Sequence, residues 1–174
     1  MQKMKWLELG VWLLLLSFVT GLKAEDVEYR FERMVPQLDQ PWYFYKPKGI
    51  AVAPDGSIWV ADSENYRIQH LSADGDILLQ GANGQINNSR GLVVTPDGSL
   101  FLSDTYNHRI QHINAAGETI GVFGSLGSQP GQFNEPSGIT LASDGTLWVA
   151  DYGNNRIQHL KTDGTFILMY ICLL

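Results

Sequence analysis

Cysteine is almost absent from this chain of 174 residues, since Cys172 is the only one. A single cysteine excludes an intrachain disulfide and a cysteine-rich zinc cluster. Charged residues are also few, at 17%, and the chain after residue 24 carries 9 basic against 17 acidic side chains with no basic stripe. Because nucleic acid is bound mainly through clustered Lys and Arg, we predict no nucleic-acid partner.

Familiar catalytic motifs are missing as well. The sequence contains no G-x-S-x-G, no H-E-x-x-H and no P-loop. The Gly-rich stretch 121–131 lacks a phosphate-binding lysine and is followed by no helix signal, so it is interpreted as a loop. We therefore predict no catalytic residues, no bound metal and no cofactor.

One apolar run stands out, near the N-terminus. Lys3 and Lys5 precede an apolar stretch over residues 9–19, and a region of small residues ends at Ala24. This order is typical of a secretory signal peptide, and the run is shorter than the ~20 residues of a membrane-spanning helix. We predict that residues 1–24 form a signal helix that directs the protein to the periplasm, the cell-envelope exterior or the medium. An uncleaved membrane anchor is the alternative.

Glycine is plentiful, and it marks an internal repeat. Three segments align: PKGIAVAPDGSIWVADSENYRIQHLSADG from Pro47, SRGLVVTPDGSLFLSDTYNHRIQHINAAG from Ser89, and PSGITLASDGTLWVADYGNNRIQHLKTDG from Pro136. The aligned glycines Gly49, Gly91 and Gly138 give periods of 42 and 47 residues. The five additional residues fall in the Gly-rich stretch, so the repeated part stays intact.

Each repeat contains four short apolar runs separated by turn residues. In the first copy these runs cover residues 49–52, 57–61, 67–71 and 76–80, and Asp-Gly pairs supply the tight turns. Four strands at this period predict an all-β fold, a propeller arc of three four-stranded blades. The predicted organisation is a signal peptide (1–24), a lead-in segment with one strand (25–46) and three blades (47–88, 89–135 and 136–174).

The motifs VADSENYRIQH, LSDTYNHRIQH and VADYGNNRIQH resemble the NHL repeat, over residues 47 to about 169. The lead-in YRFERMVPQLDQPWYFYKP also resembles the segment before the first blade in bacterial members of that family. The resemblance implies a propeller that typically has six blades. It also implies functions as varied as protein binding, RNA binding in some animal proteins, and an amidating lyase in a related protein.

An aspartate ends the second strand of each repeat, and an arginine begins the third. The pairs are Asp62 and Arg67, Asp104 and Arg109, and Asp151 and Arg156. We interpret them as structural, because an ion pair across the loop would hold each hairpin closed. A ring of carboxylates around a cation is the alternative. The recurring His70, His112 and His159 are interpreted as half-exposed strand residues, since sheets about 10 Å apart do not bring equivalent nitrogens to one zinc ion.

Two groups of residues are weak candidates for ligand binding. His108 breaks the repeat in a loop where the other copies have Tyr66 and Asn155. The aromatic run Trp42, Tyr43, Phe44 and Tyr45 either packs on the first blade or forms a binding patch.

From these patterns we predict a secreted, non-catalytic module that binds a protein, a peptide or a glycan. The alternative is a propeller enzyme resembling lyases or lactonases, with a metal in its channel. Three repeats supply half of a six-bladed ring. We therefore expect either a truncated or frame-shifted fragment, or a homodimer in which two halves close one ring.

Overall fold

The structure is a computed structural model, and it describes residues 43–171. These residues form three four-stranded antiparallel sheets. In the first blade the strands are β1 (Ile50–Val52), β2 (Ile58–Asp62), β3 (Arg67–Leu71) and β4 (Ile77–Gly81). The second has β5 (Gly91–Val94), β6 (Leu100–Asp104), β7 (Arg109–Ile113) and β8 (Thr119–Phe123), and the third has β9 (Pro136–Leu141), β10 (Leu147–Asp151), β11 (Arg156–Leu160) and β12 (Phe166–Ile171).

Within each sheet the strands lie in chain order, so every blade is an up-and-down meander. The prediction of an all-β arc of three four-stranded blades is confirmed, and the strands of the first blade lie within one residue of their predicted bounds. The predicted signal helix, most of the lead-in segment and Trp42 lie outside the described residues. No helix within residues 43–171 is long and apolar enough to cross a membrane.

A short 3₁₀ turn between the second and third strands of each blade was not predicted. The three turns are Ser63–Asn65, Thr105–Asn107 and Tyr152–Asn154. Each is followed by a residue in the left-handed region, Tyr66, His108 or Asn155, with φ of 54°, 54° and 50°. For tyrosine and histidine the left-handed conformation costs free energy, so contacts with the rest of the blade must stabilise it.

The core lies between successive blades. Each blade turns one face toward the blade that follows it, which we call the trailing face, and the other toward the blade before it, the leading face. Trp59 and Ile68 from the trailing face of the first blade pack in one cluster with Leu92 and Leu102 from the leading face of the second. The second cluster repeats this arrangement, with Phe101, Ile110, Ile139 and Val149 as the equivalent residues. Sheet faces thus meet in an aromatic-on-aliphatic pattern that recurs along the arc.

The innermost strands come closest at the repeated glycines. A Cβ on Gly91 would clash with the carbonyl oxygen of Ser137 and lie 3.1 Å from the amide nitrogen of Ile139 in the next blade. At the equivalent Gly49, an added Cβ would lie 3.3 Å from the backbone carbonyl carbon of Gly91 and 3.3 Å from the amide nitrogen of Leu92. The repeated glycine therefore permits a close approach of the inner strands at both blade junctions within residues 43–171.

Gly91 and Gly121 make a matched pair of substitutions, because a Cβ added to Gly121, in β8, would meet its nearest atom, the Cβ of His112, at 3.4 Å. Gly91→Ala is expected to lower the free energy of unfolding by about 1–3 kcal/mol, because the two inner strands must move apart to admit the methyl group. Gly121→Ala is expected to leave it unchanged or slightly raised, since the methyl group meets only ordinary contact. Urea denaturation of both variants measures the difference, and equal losses would contradict the close approach at Gly91.

Candidate functional site

The two edges of the blades differ in how strictly they repeat. One edge carries the tight hairpins that join the first strand to the second and the third to the fourth, each with a Gly and most with an Asp-Gly pair, and we call it the turn end. The opposite edge carries the 3₁₀ turns and the connections from blade to blade, and we call it the loop end. Side chains that recur in every blade serve the scaffold, so a functional site is expected where the repeat is broken.

The turn end repeats one polar arrangement. The ring of His70 stacks on Trp59 with centroids 4.0 Å apart. Its Nε2 lies 2.7 Å from Ser57 Oγ, and that hydroxyl donates to Asp55 over 2.5 Å. Equivalent clusters are Phe101, His112, Ser99 and Asp97 in the second blade and Trp148, His159, Thr146 and Asp144 in the third. Because it recurs, we assign this arrangement to the scaffold.

No metal site is built from these histidines. Among residues 43–171, no group of three or more His, Cys, Asp or Glu side chains is arranged to hold a metal ion. A shallow cavity of about 230 Å³ opens at the turn end between the first two blades, lined by Asp55, His70 and Asp97 among others.

Burial governs the protonation of two of these histidines. Desolvation lowers the pKa of His70 and of His112 below the ordinary value of 6.5, and the nearby Asp55 and Asp97 offset this only in part. Hydrogen bonds from Thr95 and then Ser99 lower the pKa of Asp97 to about 2. Both histidines are therefore neutral in the folded protein at neutral pH, while Asp97 is ionised.

Stability should consequently fall on acidification. Below pH 6.5 the unfolded chain binds protons at His70 and His112 before the folded chain does, so the free energy of unfolding decreases as the pH drops through that value. Asp97 acts in the same direction at lower pH, between 3.8 and about 2. Urea denaturation at about pH 7.5 and about pH 5 measures the first step. A His70→Asn/His112→Asn double variant should show a shallower pH dependence, and an unchanged slope would contradict the assignment.

At the loop end, each repeated aspartate is a buried acceptor for four donors. Asp104 Oδ2 accepts from Arg109 Nε at 2.7 Å, Gln111 Nε2 at 2.8 Å and Asn107 Nδ2 at 2.9 Å. Its Oδ1 accepts from the backbone N–H of Asn87 at 2.7 Å. Asp62 accepts from the backbone N–H of Tyr45 and from the side chains of Asn65, Arg67 and Gln69. Asp151 accepts from the backbone N–H of Asn134 and from the side chains of Asn154, Arg156 and Gln158.

The structure thus brings together the aspartate and arginine singled out in each repeat. The carboxylates are fully buried and saturated with donors, which gives them no free oxygen for a shared cation. Sequence reasoning missed the asparagine and glutamine of each set. Their signal was present, because the spacing D-x-x-N-x-R-x-Q is the same in all three repeats.

Side chains at the loop end that do not repeat converge around Arg90. Its slot holds Lys48 in the first blade and Ser137 in the third, so the arginine is particular to the second blade. The longer connection, residues 124–135, also lies at this end. In repeat proteins, insertions gathered on one face often mark the binding face.

Arg90 is held between two exposed tyrosines. Its Cζ lies 5.8 Å from the ring centroid of Tyr106 and 5.6 Å from that of Tyr152 in the next blade. One guanidinium nitrogen lies 3.7 Å from Glu135 Oε2. The tyrosines are 47% and 64% exposed, so aromatic surface and a fixed cation face solvent together.

His108 belongs to the same group. Its Nδ1 accepts the backbone N–H of Glu135 at 3.1 Å, which bridges the second blade to the third. With Nδ1 acting as the acceptor, the proton of the neutral ring is on Nε2, which becomes a donor. We call Arg90, Tyr106, His108, Glu135 and Tyr152 the loop-end cluster.

The aromatic candidates before the first blade occupy the same end. The backbone oxygen of Tyr43 accepts from Arg67 at 2.9 Å, and the backbone N–H of Tyr45 donates to Asp62 at 2.7 Å. Their rings, and that of Phe44, remain exposed, with Lys46 Nζ 5.3 Å from the ring of Tyr45. Of the sequence-derived candidates, only His108 is part of the loop-end cluster; Arg90, Tyr106, Glu135 and Tyr152 were missed, although each departs from the repeat at its position.

Comparison with known proteins gives the chain a family. The model of the virginiamycin B lyase family matches residues 38–171. A structure of a streptogramin B lyase is 23% identical, with a TM-score of 0.62 over 73% of this chain and 41% of that one. A catalytically inactive variant of virginiamycin B lyase from Staphylococcus aureus, solved with Quinupristin, is 23% identical, with a TM-score of 0.63 over 77% and 44% of the two chains.

Hydrazine synthase from Kuenenia stuttgartiensis shares the fold at 19% identity, with a TM-score of 0.60 over 77% of this chain and 39% of that one. No curated protein matches the chain. The chain spans about two fifths of the length of the solved lyase chains it matches.

The family match corrects two predictions. A non-catalytic binding module is wrong as the main interpretation, and so is the statement that the protein is not an enzyme, because the matched family is one of lyases. The alternative of a lyase-like propeller agrees better with the match. The error arose because function was inferred from the absence of short catalytic motifs, and a propeller site gathers single residues from separate blades.

Proposed function

Because the chain belongs to the virginiamycin B lyase family, we propose that it is part of a propeller lyase and that the loop-end cluster binds the substrate. The observation that carries the proposal is the concentration of non-repeating residues at one end of the blades, around Arg90 and its two tyrosines. The proposed substrate is a streptogramin B, the compound that names one related lyase structure, and Quinupristin, the compound bound in another, is the probe.

The geometry suits substrate binding and stabilisation of negative charge. The exposed rings of Tyr106 and Tyr152 offer flat surfaces for apolar or aromatic groups. Arg90 and the Nε2 proton of His108 are donors for a carbonyl or carboxylate oxygen. In an elimination, negative charge develops on oxygen as a proton leaves carbon and the leaving group departs, and fixed donors lower the energy of that state.

Proton abstraction is assigned to neither His108 nor Glu135. Nδ1 of His108 already accepts the backbone N–H of Glu135, and the Glu135 carboxylate is paired with Arg90. These contacts instead give the two residues a role in positioning Arg90 between the blades.

The experiment is to incubate the protein with Quinupristin, follow binding by isothermal titration calorimetry and analyse the products by mass spectrometry. An elimination takes up no water, so the products should together have the mass of the substrate, whereas hydrolysis adds one water. Binding accompanied by such a product supports the proposal. A product with added water, or no binding, overturns it.

Three sequence predictions remain proposals beside this one. The recurring Gly, Asp-Gly, Asp and N-x-R-I-Q pattern supports an NHL type for the repeats. The lysines and apolar run of residues 1–24 support secretion. A protein, peptide or glycan partner, rather than nucleic acid, fits the acidic composition after residue 24.

A further inference from the structure

Charge is divided unevenly between the two ends of the blades. Among residues 43–171, the turn end carries seven carboxylates and one lysine, a net charge of −6. The loop end carries six cations and five carboxylates, a net charge of +1. The turn-end residues are Asp55, Asp74, Asp76, Asp97, Glu118, Asp144, Lys161 and Asp163. The described blades therefore attract anions toward the loop end, although the chain as a whole is acidic.

One lysine accounts for the positive charge of the loop end. Five of the six cations there have a carboxylate partner at 2.7 to 3.9 Å. These pairs are Lys46 and Glu64, Arg67 and Asp62, Arg90 and Glu135, Arg109 and Asp104, and Arg156 and Asp151. The sixth cation is Lys48, which forms no ion pair within residues 43–171. Its Nζ donates instead to Oδ1 of Asn88, a neutral amide.

Lys48 lies at the inner rim of the loop end, in the slot that Arg90 occupies in the second blade. Each of the two residues directly precedes the repeated glycine of its blade, Gly49 or Gly91. A Cβ added to Gly49 would lie 3.3 Å from the carbonyl carbon of Gly91, so the two chain segments are in contact there. The two cations therefore extend from neighbouring points on the rim.

The same contact from blade to blade is made twice, with different acceptors. Lys48 reaches Asn88 at the entry to the second blade, and Arg90 reaches Glu135 at the entry to the third. Asn88 and Glu135 occupy one slot of the repeat, and both are in the left-handed region, with φ of 54° and 50°. The amide leaves the charge of Lys48 uncompensated. Because Oδ1 of Asn88 accepts from Lys48, its Nδ2 is the donor that it can offer to a ligand.

We propose that Lys48, Asn88 and Arg90 form an anion-binding rim at the loop end, and that it takes a carboxylate group of the ligand. The inference rests on the proposed function for the identity of that ligand, the substrate held by the loop-end cluster. Ammonium and guanidinium groups form strong charge-assisted hydrogen bonds to carboxylate oxygens. The acidic turn end repels the same group, so the field of the blades orients the ligand as it approaches.

The test uses benzoate as the anionic probe and benzamide as its neutral counterpart, each titrated into the full chain by isothermal titration calorimetry. Lys48→Gln removes the uncompensated charge and keeps a side chain that can donate a hydrogen bond, while Lys48→Arg keeps the charge. Lys161→Gln is the matched control, since it removes the same charge from an exposed position at the turn end. Far-UV circular dichroism checks that each variant folds.

We expect benzoate to bind about 10-fold more tightly than benzamide, and more weakly as the salt concentration rises. Lys48→Gln should lose about 3- to 10-fold in benzoate affinity, whereas Lys48→Arg and Lys161→Gln should bind as the natural protein does. Equal affinity for the two probes would overturn the anion site. Equal losses in the two glutamine variants would overturn it as well, because only the net charge of the protein would then matter.

A second titration separates this inference from the proposed function. If benzoate binds through Lys48 and Quinupristin gives no elimination product, the proposed function fails and the rim stands as an anion site. If Quinupristin is cleaved and benzoate does not displace it, the function stands and the binding of the substrate through the rim is refuted. Displacement of Quinupristin by benzoate, weakened in Lys48→Gln, supports both.

Discussion

Asp104→Asn is expected to lower the free energy of unfolding by about 3 kcal/mol, the largest stability change among the substitutions considered. Asparagine has nearly the same shape, so the loss is electrostatic. Arg109 Nε would lose its charged acceptor at 2.7 Å. The new NH₂ group would also face other donors, either the backbone N–H of Asn87 or the side chains of Asn107, Arg109 and Gln111. Buried donors without acceptors lower the free energy of unfolding.

Urea denaturation of Asp104→Asn, followed by circular dichroism, measures the change. Asp144→Asn is the matched control, because Asp144 is an exposed turn residue that accepts bonds only from Thr146 in the described contacts. We expect little change for the control. If both substitutions lowered the free energy of unfolding equally, the buried carboxylate of Asp104 would not be the group that holds its four donors together.

The fold was predictable because its determinants repeat. Gly91, Asp104 and Arg109 each have counterparts at the same spacing in two other segments, so the alignment reveals them without any knowledge of packing. Of the four donors of each aspartate, only the arginine side chain was predicted as its partner. The arginine has an obvious charge partner, whereas the glutamine reaches the carboxylate only after β3 has paired with β2.

The loop-end cluster was hidden for the opposite reason. Arg90, Tyr106 and Tyr152 come from three separate segments, and they meet only because the second and third blades pack face to face. None of them repeats, and none forms a short motif. His108 was noticed because it interrupts a repeated slot, and the same reasoning applied at the positions of Arg90 and Glu135 would have found them too.

The burial of equivalent residues shows a further limit of sequence patterns. Ile68, Ile110 and Ile157 occupy identical slots in identical R-I-Q contexts. Their exposure nonetheless ranges from 0% to 46%, because within residues 43–171 only Ile68 and Ile110 have another blade packed against their face. Apolar periodicity therefore predicts which face of a strand packs, and says nothing of what it packs against.

On the proposed function, Arg90→Gln is expected to weaken Quinupristin binding about 10- to 100-fold and to lower the proposed lyase activity at least as much. The substitution removes the cation held between Tyr106 and Tyr152 while keeping a side chain that can donate a hydrogen bond. Arg90→Lys keeps the charge without the planar guanidinium, so its affinity should lie between the two. Stability should change little in either variant, because the ion pair of Arg90 with Glu135 is long, at 3.7 Å, and partly exposed.

Calorimetric titration of Quinupristin into each variant measures the affinity, and product formation is followed in parallel. Lys161→Gln removes the same charge from an exposed position after β11, at the turn end, and should bind as the natural protein does. If Arg90→Gln and Lys161→Gln bound equally well, the ligand would not lie on the loop-end cluster. A selective loss in Arg90→Gln, partly recovered in Arg90→Lys, would place the ligand against the guanidinium, because general charge attraction would weaken equally in both glutamine variants.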